Sequence, residues 1–136
     1  KFDVVSAFRF FLNSEPALRT SALLAIRAAM NDDGHLLINI HVNRSSPLGL
    51  VYRARNVLRR RVIANTLGLR EFQSVLAAEG FSVADVRWYG LYPRTGPWGA
   101  SLAEWMVPRV ERVFRDVRAI PRSWAQAYMI LCSKRQ

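Results

Sequence analysis

The chain has a single cysteine, and none of its apolar runs approaches the length that crosses a bilayer. One thiol excludes an internal disulfide and leaves no thiolate set for a zinc centre. A spanning helix needs about 20 apolar residues, so none is expected. Nothing resembles a secretory leader, and no repeat or low-complexity segment interrupts the sequence. Acids are also scarce, with 10 Asp and Glu against 20 Lys and Arg, for a formal charge of +10. Cys132 itself lies in the apolar run Tyr128-Met129-Ile130-Leu131-Cys132 and reads as a buried, inert thiol.

The 136 residues are 51% hydrophobic, enough for one globular domain with a single core. The positive charge is mostly arginine and is unevenly placed. Arg53, Arg55, Arg59, Arg60 and Arg61 crowd one segment, and Arg109, Arg112, Arg115, Arg118 and Arg122 another. Such a field attracts phosphates, nucleic acid or an anionic membrane surface. An arginine-rich proteome, or a half-domain separated from an acidic half, gives the same composition.

The opening run Phe2-Asp3-Val4-Val5-Ser6-Ala7-Phe8 and the later run Leu36-Leu37-Ile38-Asn39-Ile40-His41-Val42 flank an amphipathic stretch. The pattern predicts strand, helix, strand, with strands apolar on both faces, as in parallel sheets buried between helix layers. A parallel strand at the first residue lacks an obvious neighbour, which predicts the later half of a larger α/β domain. The helix is expected to start near Asn13 or Ser14, with Glu15 and Pro16 in its first turn and a buried stripe of Leu18, Ala22, Ile26 and Ala29, with Leu23 and Met30 alongside. Asn31-Asp32-Asp33-Gly34 reads as a turn in which Gly34 is free to take positive φ.

Beyond His41, residues 43–47 read as loop and residues 48–63 as a basic amphipathic helix with Val51, Leu58 and Val62 on its apolar side. A helix over residues 69–78 is stopped by Gly80, and residues 81–89 alternate as a third strand. Residues 90–97 read as loop. Ser101 caps a further helix carrying Trp105 and Phe114, interrupted or begun at Pro108, and residues 126–133 form the last strand.

In this order the pieces resemble the carboxyl-terminal half of a class I S-adenosylmethionine-dependent methyltransferase of the small-molecule type. Phe2 to Ala7 is similar to that family's fourth strand, residues 24–40 to its helix, turn and fifth strand. Glu71-Phe72 to Gly80-Phe81 is similar to the helix ending in Gly-Phe before the sixth strand, and residues 127–134 to the closing strand. The resemblance implies an α/β fold, a partial Rossmann-like sheet in three α/β/α layers, with about four strands, the last antiparallel and the Phe2 strand outermost. It implies that residues 1–136 are the C-terminal part of a single methyltransferase domain whose cofactor-binding half is absent, with a basic substrate-cover insertion at residues 44–66 and S-adenosylmethionine as methyl donor. The family's glycine-rich loop and ribose-binding acid have no counterpart here, so only one wall of the donor cleft is expected and weak or absent donor binding follows. Asp32-Asp33-Gly34 stands where the family usually has Pro-Gly-Gly.

By position in that resemblance, Ser6, Ala7, Phe8 and Arg9 line the methionine end of the cofactor, with the Phe8 ring or backbone carbonyls toward the sulfonium. Packing by Phe8 and Phe10 and a surface charge at Arg9 remain the alternative. His41 is the candidate proton acceptor, because imidazole titrates near neutrality; a histidine bonded to a loop fits the same position. Asn43, Tyr52, Arg55 and Tyr89 are candidate substrate contacts, the arginine suiting a carboxylate or phosphate. Asn39 reads as a buried polar group with a local partner. No metal is implied. The expected acceptor is a small or lipid-linked molecule, in the cytoplasm, with peripheral membrane contact open; a basic module on nucleic acid or membrane, or a non-catalytic fragment, is the alternative.

Overall fold

A computed structural model describes residues 1–12, 14–58, 67–90, 105–106, 108–109, 112 and 121–135, with the Arg55 side chain outside the described set. Its elements in chain order are β1 (Phe2–Ala7), α1 (Pro16–Ala29), β2 (Met30–Ile40), α2 (Pro47–Leu58), α3 (Leu69–Ala78), β3 (Phe81–Tyr89), a 3₁₀ turn (Arg122–Trp124) and β4 (Ala127–Lys134). They form an α/β fold around one four-stranded sheet of order β1-β2-β4-β3. β1 and β2 are parallel, and β4 enters between β2 and β3 antiparallel to both. The carboxyl ends of β1, β2 and β3 therefore share one edge. β1 is outermost, as expected.

Register assigns the faces. Leu36, Ile38 and Ile40 of β2 pair with Cys132, Ile130 and Tyr128 of β4, and Val86 and Trp88 of β3 pair with Ile130 and Tyr128. Side chains opposite one another in a ladder point the same way. This face joins Leu23 of α1, Phe72 and Leu76 of α3, and Phe11 in a single buried cluster, with Tyr52 of α2 packed against it. The described residues thus supply one helical layer. The other face carries Ser6, Leu37, Asn39, Met129 and Tyr89, and Val4 there is 65% exposed.

Several expectations are corrected. β2 starts at Met30 and runs through the Asn31-Asp32-Asp33-Gly34 cluster. Between the pairs Phe2↔Met30 and Val4↔His35, β1 advances two residues and β2 five, so the cluster is absorbed as a bulge. Gly34 is needed there for close approach, since a Cβ would lie 3.0 Å from the carbonyl oxygens of Asn31 and Phe2; positive φ falls instead on Gly80 and Gly90.

The buried residues of α1 are Arg19 and Leu23, with Ile26 packed against the core, whereas Leu18 is exposed. The buried stripe therefore starts at Arg19, one position beyond the expected Leu18. Glu15 occupies the N-cap position of α1 without a side-chain capping bond, Pro16 begins the helix, and Ser14 donates to the Phe10 carbonyl (2.7 Å); Asn13 lies outside the described residues.

α2 is described as far as Leu58, with Val51 and Leu58 exposed and Tyr52 turned to the core. A Cβ on Gly49 would collide with the Asn43 carbonyl, so that helix seats directly on the loop before it. Val62 and Arg59 to Arg61 lie outside the described residues, as does most of the helix expected from Ser101. No helix among the described residues is long and apolar enough to cross a membrane.

Candidate active-site edge

The edge formed by the carboxyl ends of β1, β2 and β3 gathers most of the candidate residues. β1 leads into a turn over residues 8–12, in which Arg9 has φ 60°, the one non-glycine residue with positive φ among those described. A side chain in that region costs energy unless its surroundings hold it. The Arg9 N–H donates to Asn39 Oδ1 (2.7 Å), and Asn39 Nδ2 donates to the Tyr89 hydroxyl (2.7 Å). Three residues from three parallel strands or their ends are thereby linked. Asn39 has a partner 50 residues away, not the local one expected from sequence.

The same loop is held from the helix side. Arg19, only 6% exposed, donates through Nε to the Phe11 carbonyl (2.9 Å), with a longer contact from Nη2 to the Leu12 carbonyl (3.5 Å). Burial draws its guanidinium below the usual arginine range, opposed by the nearby charge of Glu71. A buried charge persists only when hydrogen-bonded or paired. Phe11 sits 5.1 Å from the Phe10 ring and 5.4 Å from Phe72. The sequence hid this role, because an arginine on an amphipathic helix is ordinarily assigned to the wet side.

Ser6, Phe8 and Arg9 are exposed at this edge and Ala7 is half-buried, so β1 and its loop present them as a wall. His41, just beyond β2, is half-buried. Asn43 departs from its expected role as a substrate contact. It is 0% exposed, donates to the carbonyls of Ser123 (2.6 Å) and Ala125 (3.0 Å), and accepts from Ser45 N–H (3.2 Å). Its amide fastens the loop after β2 to the segment entering β4. Tyr52 packs on the core and is likewise not presented as a contact, while Arg55 falls on a side chain outside the described set. Arg44 pairs with Glu71 (2.7 Å) beside these loops.

Two buried groups on β4 are kept protonated. Burial pushes the Cys132 thiol up to about 12 and raises the Tyr128 phenol above its ordinary range. Cys132 is buried as expected, with no charge near enough to activate it. At the opposite end of the sheet, a groove of about 600 Å³ is lined by Leu24, Arg27, Asp32 and Lys134 among others. Its charges are mixed and Lys134 is engaged by the Met30 carbonyl (2.6 Å) and Asp32 (3.1 Å), so the chemistry is better sought at the carboxyl edge. No three His, Cys, Asp or Glu side chains among the described residues are grouped to hold a metal.

No protein-family model and no curated protein sequence matches the chain. Its fold, however, is that of part of an S-adenosylmethionine-dependent methyltransferase, matched over nearly its whole length. A methyltransferase from Thermotoga maritima, described as a possible histamine N-methyltransferase, is matched over 98% of this chain at TM-score 0.63 and 15% identity. The magnesium protoporphyrin IX methyltransferase ChlM from Synechocystis PCC 6803, solved with S-adenosylhomocysteine, is matched over 98% at 0.57 and 10% identity. The pyocyanin biosynthetic protein PhzM is matched over 97% at 0.56 and 15% identity. The chain spans 56%, 45% and 30% of those three chains, respectively. At such identities the likeness is one of fold.

Proposed function

We propose that the chain is the acceptor-side part of an S-adenosylmethionine-dependent methyltransferase acting on a small-molecule or lipid-linked acceptor. The observation that carries this reading is the near-complete match of its β1-β2-β4-β3 sheet to methyltransferases, which each extend well beyond it. In open α/β sheets, ligands bind at the carboxyl ends of the strands. Here that edge holds an ordered loop, an exposed aromatic ring and a linked set of polar groups.

The residues fit one wall of a donor site. Ser6, Phe8 and Arg9 are exposed at the end of β1, and the left-handed turn at Arg9 is held by Asn39. S-adenosylmethionine, when bound, supplies an electrophilic methyl group on a sulfonium. The half-exposed Phe8 ring offers a π face to such a cation. Arg19 and Asn39 fix the loop backbone from opposite sides, so the wall is organised before any ligand arrives and the cost of ordering it is not charged to binding. His41, at the end of β2, accepts the proton of a hydroxyl or amine acceptor in this reading.

The test is calorimetric titration of S-adenosylhomocysteine into the protein translated from the whole reading frame that contains residues 1–136. Saturable binding is expected, with little or no heat from residues 1–136 alone. Absence of binding by the whole product defeats the proposal, and strongly salt-dependent affinity for nucleic acid in its place promotes the basic-module alternative.

A further inference from the structure

The hydrogen bonds at Asn39 have a direction. A backbone N–H can only donate, so the oxygen of the Asn39 amide must be the atom facing Arg9, 2.7 Å away. The amide nitrogen then faces Tyr89 at 2.7 Å and, being donor only, makes the phenolic oxygen the acceptor. The Tyr89 proton consequently cannot be used within this chain of bonds. Among the described residues no other group receives it: the amide of Asn39 is the sole polar partner of the Tyr89 hydroxyl.

We infer that Tyr89 is a committed hydrogen-bond donor to a ligand, and that the acceptor molecule presents a carbonyl or carboxylate oxygen to it. Naming that ligand the methyl acceptor rests on the methyltransferase reading; the donor assignment does not. The oxygen held by Tyr89 is a positioning atom and not the one methylated, because a donated proton reduces the availability of a lone pair for attack. Asn39 is a positioning residue. It converts the fixed polarity of one backbone N–H into the fixed polarity of a phenol, and the same amide holds the Arg9 turn. A site of this kind rejects ligands that bring a donor to that point, since two donors would then face each other.

Asn39→Asp tests the assignment with little change of shape. A carboxylate still accepts from the Arg9 N–H, but it also accepts from Tyr89 and so turns the phenolic proton inward. Acetophenone and ethylbenzene serve as neutral probes of similar size, with and without a carbonyl, titrated into the chain and followed by the NMR shifts of Tyr89 and its neighbours. The native chain is expected to favour acetophenone roughly three- to tenfold, the range of one neutral hydrogen bond. Tyr89→Phe and Asn39→Asp should each abolish the preference, while Asn39→Asp leaves the Arg9 amide protected from exchange. The inference is overturned if the native chain shows no preference, or if the preference survives either substitution. No methyl donor enters this experiment, so its outcome and that of the S-adenosylhomocysteine titration can fail separately.

Discussion

Leu36, Ile38, Ile40, Ile130 and Cys132 lie sealed beneath the helices, whereas on the reverse of the same strands Val4, Ser6 and Leu37 keep contact with solvent. The outward positions mix Ser6, His35, Asn39 and Arg87 with Val4, Leu37 and Met129, whereas the inward ones are almost all apolar and, among the described residues, only they are covered by helices. The covered face owes its stability to burial, at roughly 25 cal/mol per Å² of apolar surface. The open face holds the polar chain Arg9, Asn39, Tyr89 and the exposed end of β1. One side of the sheet is thus a core, and the other an unfinished surface on which the candidate chemistry lies.

Substitutions on the two faces should separate these roles. Phe72→Ala removes a fully buried ring that meets Phe11, and should destabilise the chain by about 3–5 kcal/mol in denaturant unfolding. An effect under about 1 kcal/mol would mean that α3 does not pack as described. Arg19→Met keeps the apolar stem but leaves the Phe11 carbonyl without its buried donor. A loss of about 2 kcal/mol is expected, with faster amide exchange confined to residues 10–14. Uniform acceleration across the chain would argue against a local clamp.

The buried thiol makes the covered face sensitive to alkali. The unfolded thiol ionises near its ordinary 9.0, but the folded one stays protonated to about 12, so the folded chain holds the extra proton between those values. Stability contributed this way is present below pH 9.0 and is lost as pH rises toward about 12. The loss amounts to about 1.4 kcal/mol per pH unit in that window. Cys132→Ala should flatten the profile just above pH 9.0, leaving the steeper fall that Tyr128 adds where phenols ionise. An unchanged slope would show that the thiol is not sealed. Smallest of all, Val4→Thr on the open face should change stability by less than about 0.5 kcal/mol; a loss of 2 kcal/mol or more would mean that this face is covered in solution.

What the sequence disclosed follows from the same contrast. α3 and β3 have the expected bounds, because a strong amphipathic period and a glycine stop at Gly80 act locally. β2 was harder, since Asp32, Asp33 and Gly34 carry turn chemistry that the sheet absorbs as a bulge. The stripe of α1 was legible at Ala22, Leu23, Ile26 and Met30 but not at its start, because polarity assigns Arg19 outward and only the tertiary fold supplies the carbonyls that admit it. At the site, the place of Phe8 and Arg9 just past a strand end was legible, but the exposure of the Phe8 ring was not. The Asn39–Tyr89 contact was not, since it forms only when β4 enters between β2 and β3 and brings their ends within reach. Asn43 looked like a ligand for the opposite reason: nothing in the sequence announces the carbonyls of Ser123 and Ala125 that consume its amide.

The most direct measurement maps S-adenosylhomocysteine onto the backbone resonances of the whole translated protein. Saturable shifts should concentrate at Ser6, Ala7, Phe8 and Arg9. Tight binding that leaves these four undisturbed, with its shifts in the groove between Arg27 and Lys134 instead, would contradict the placement of the donor wall at the end of β1.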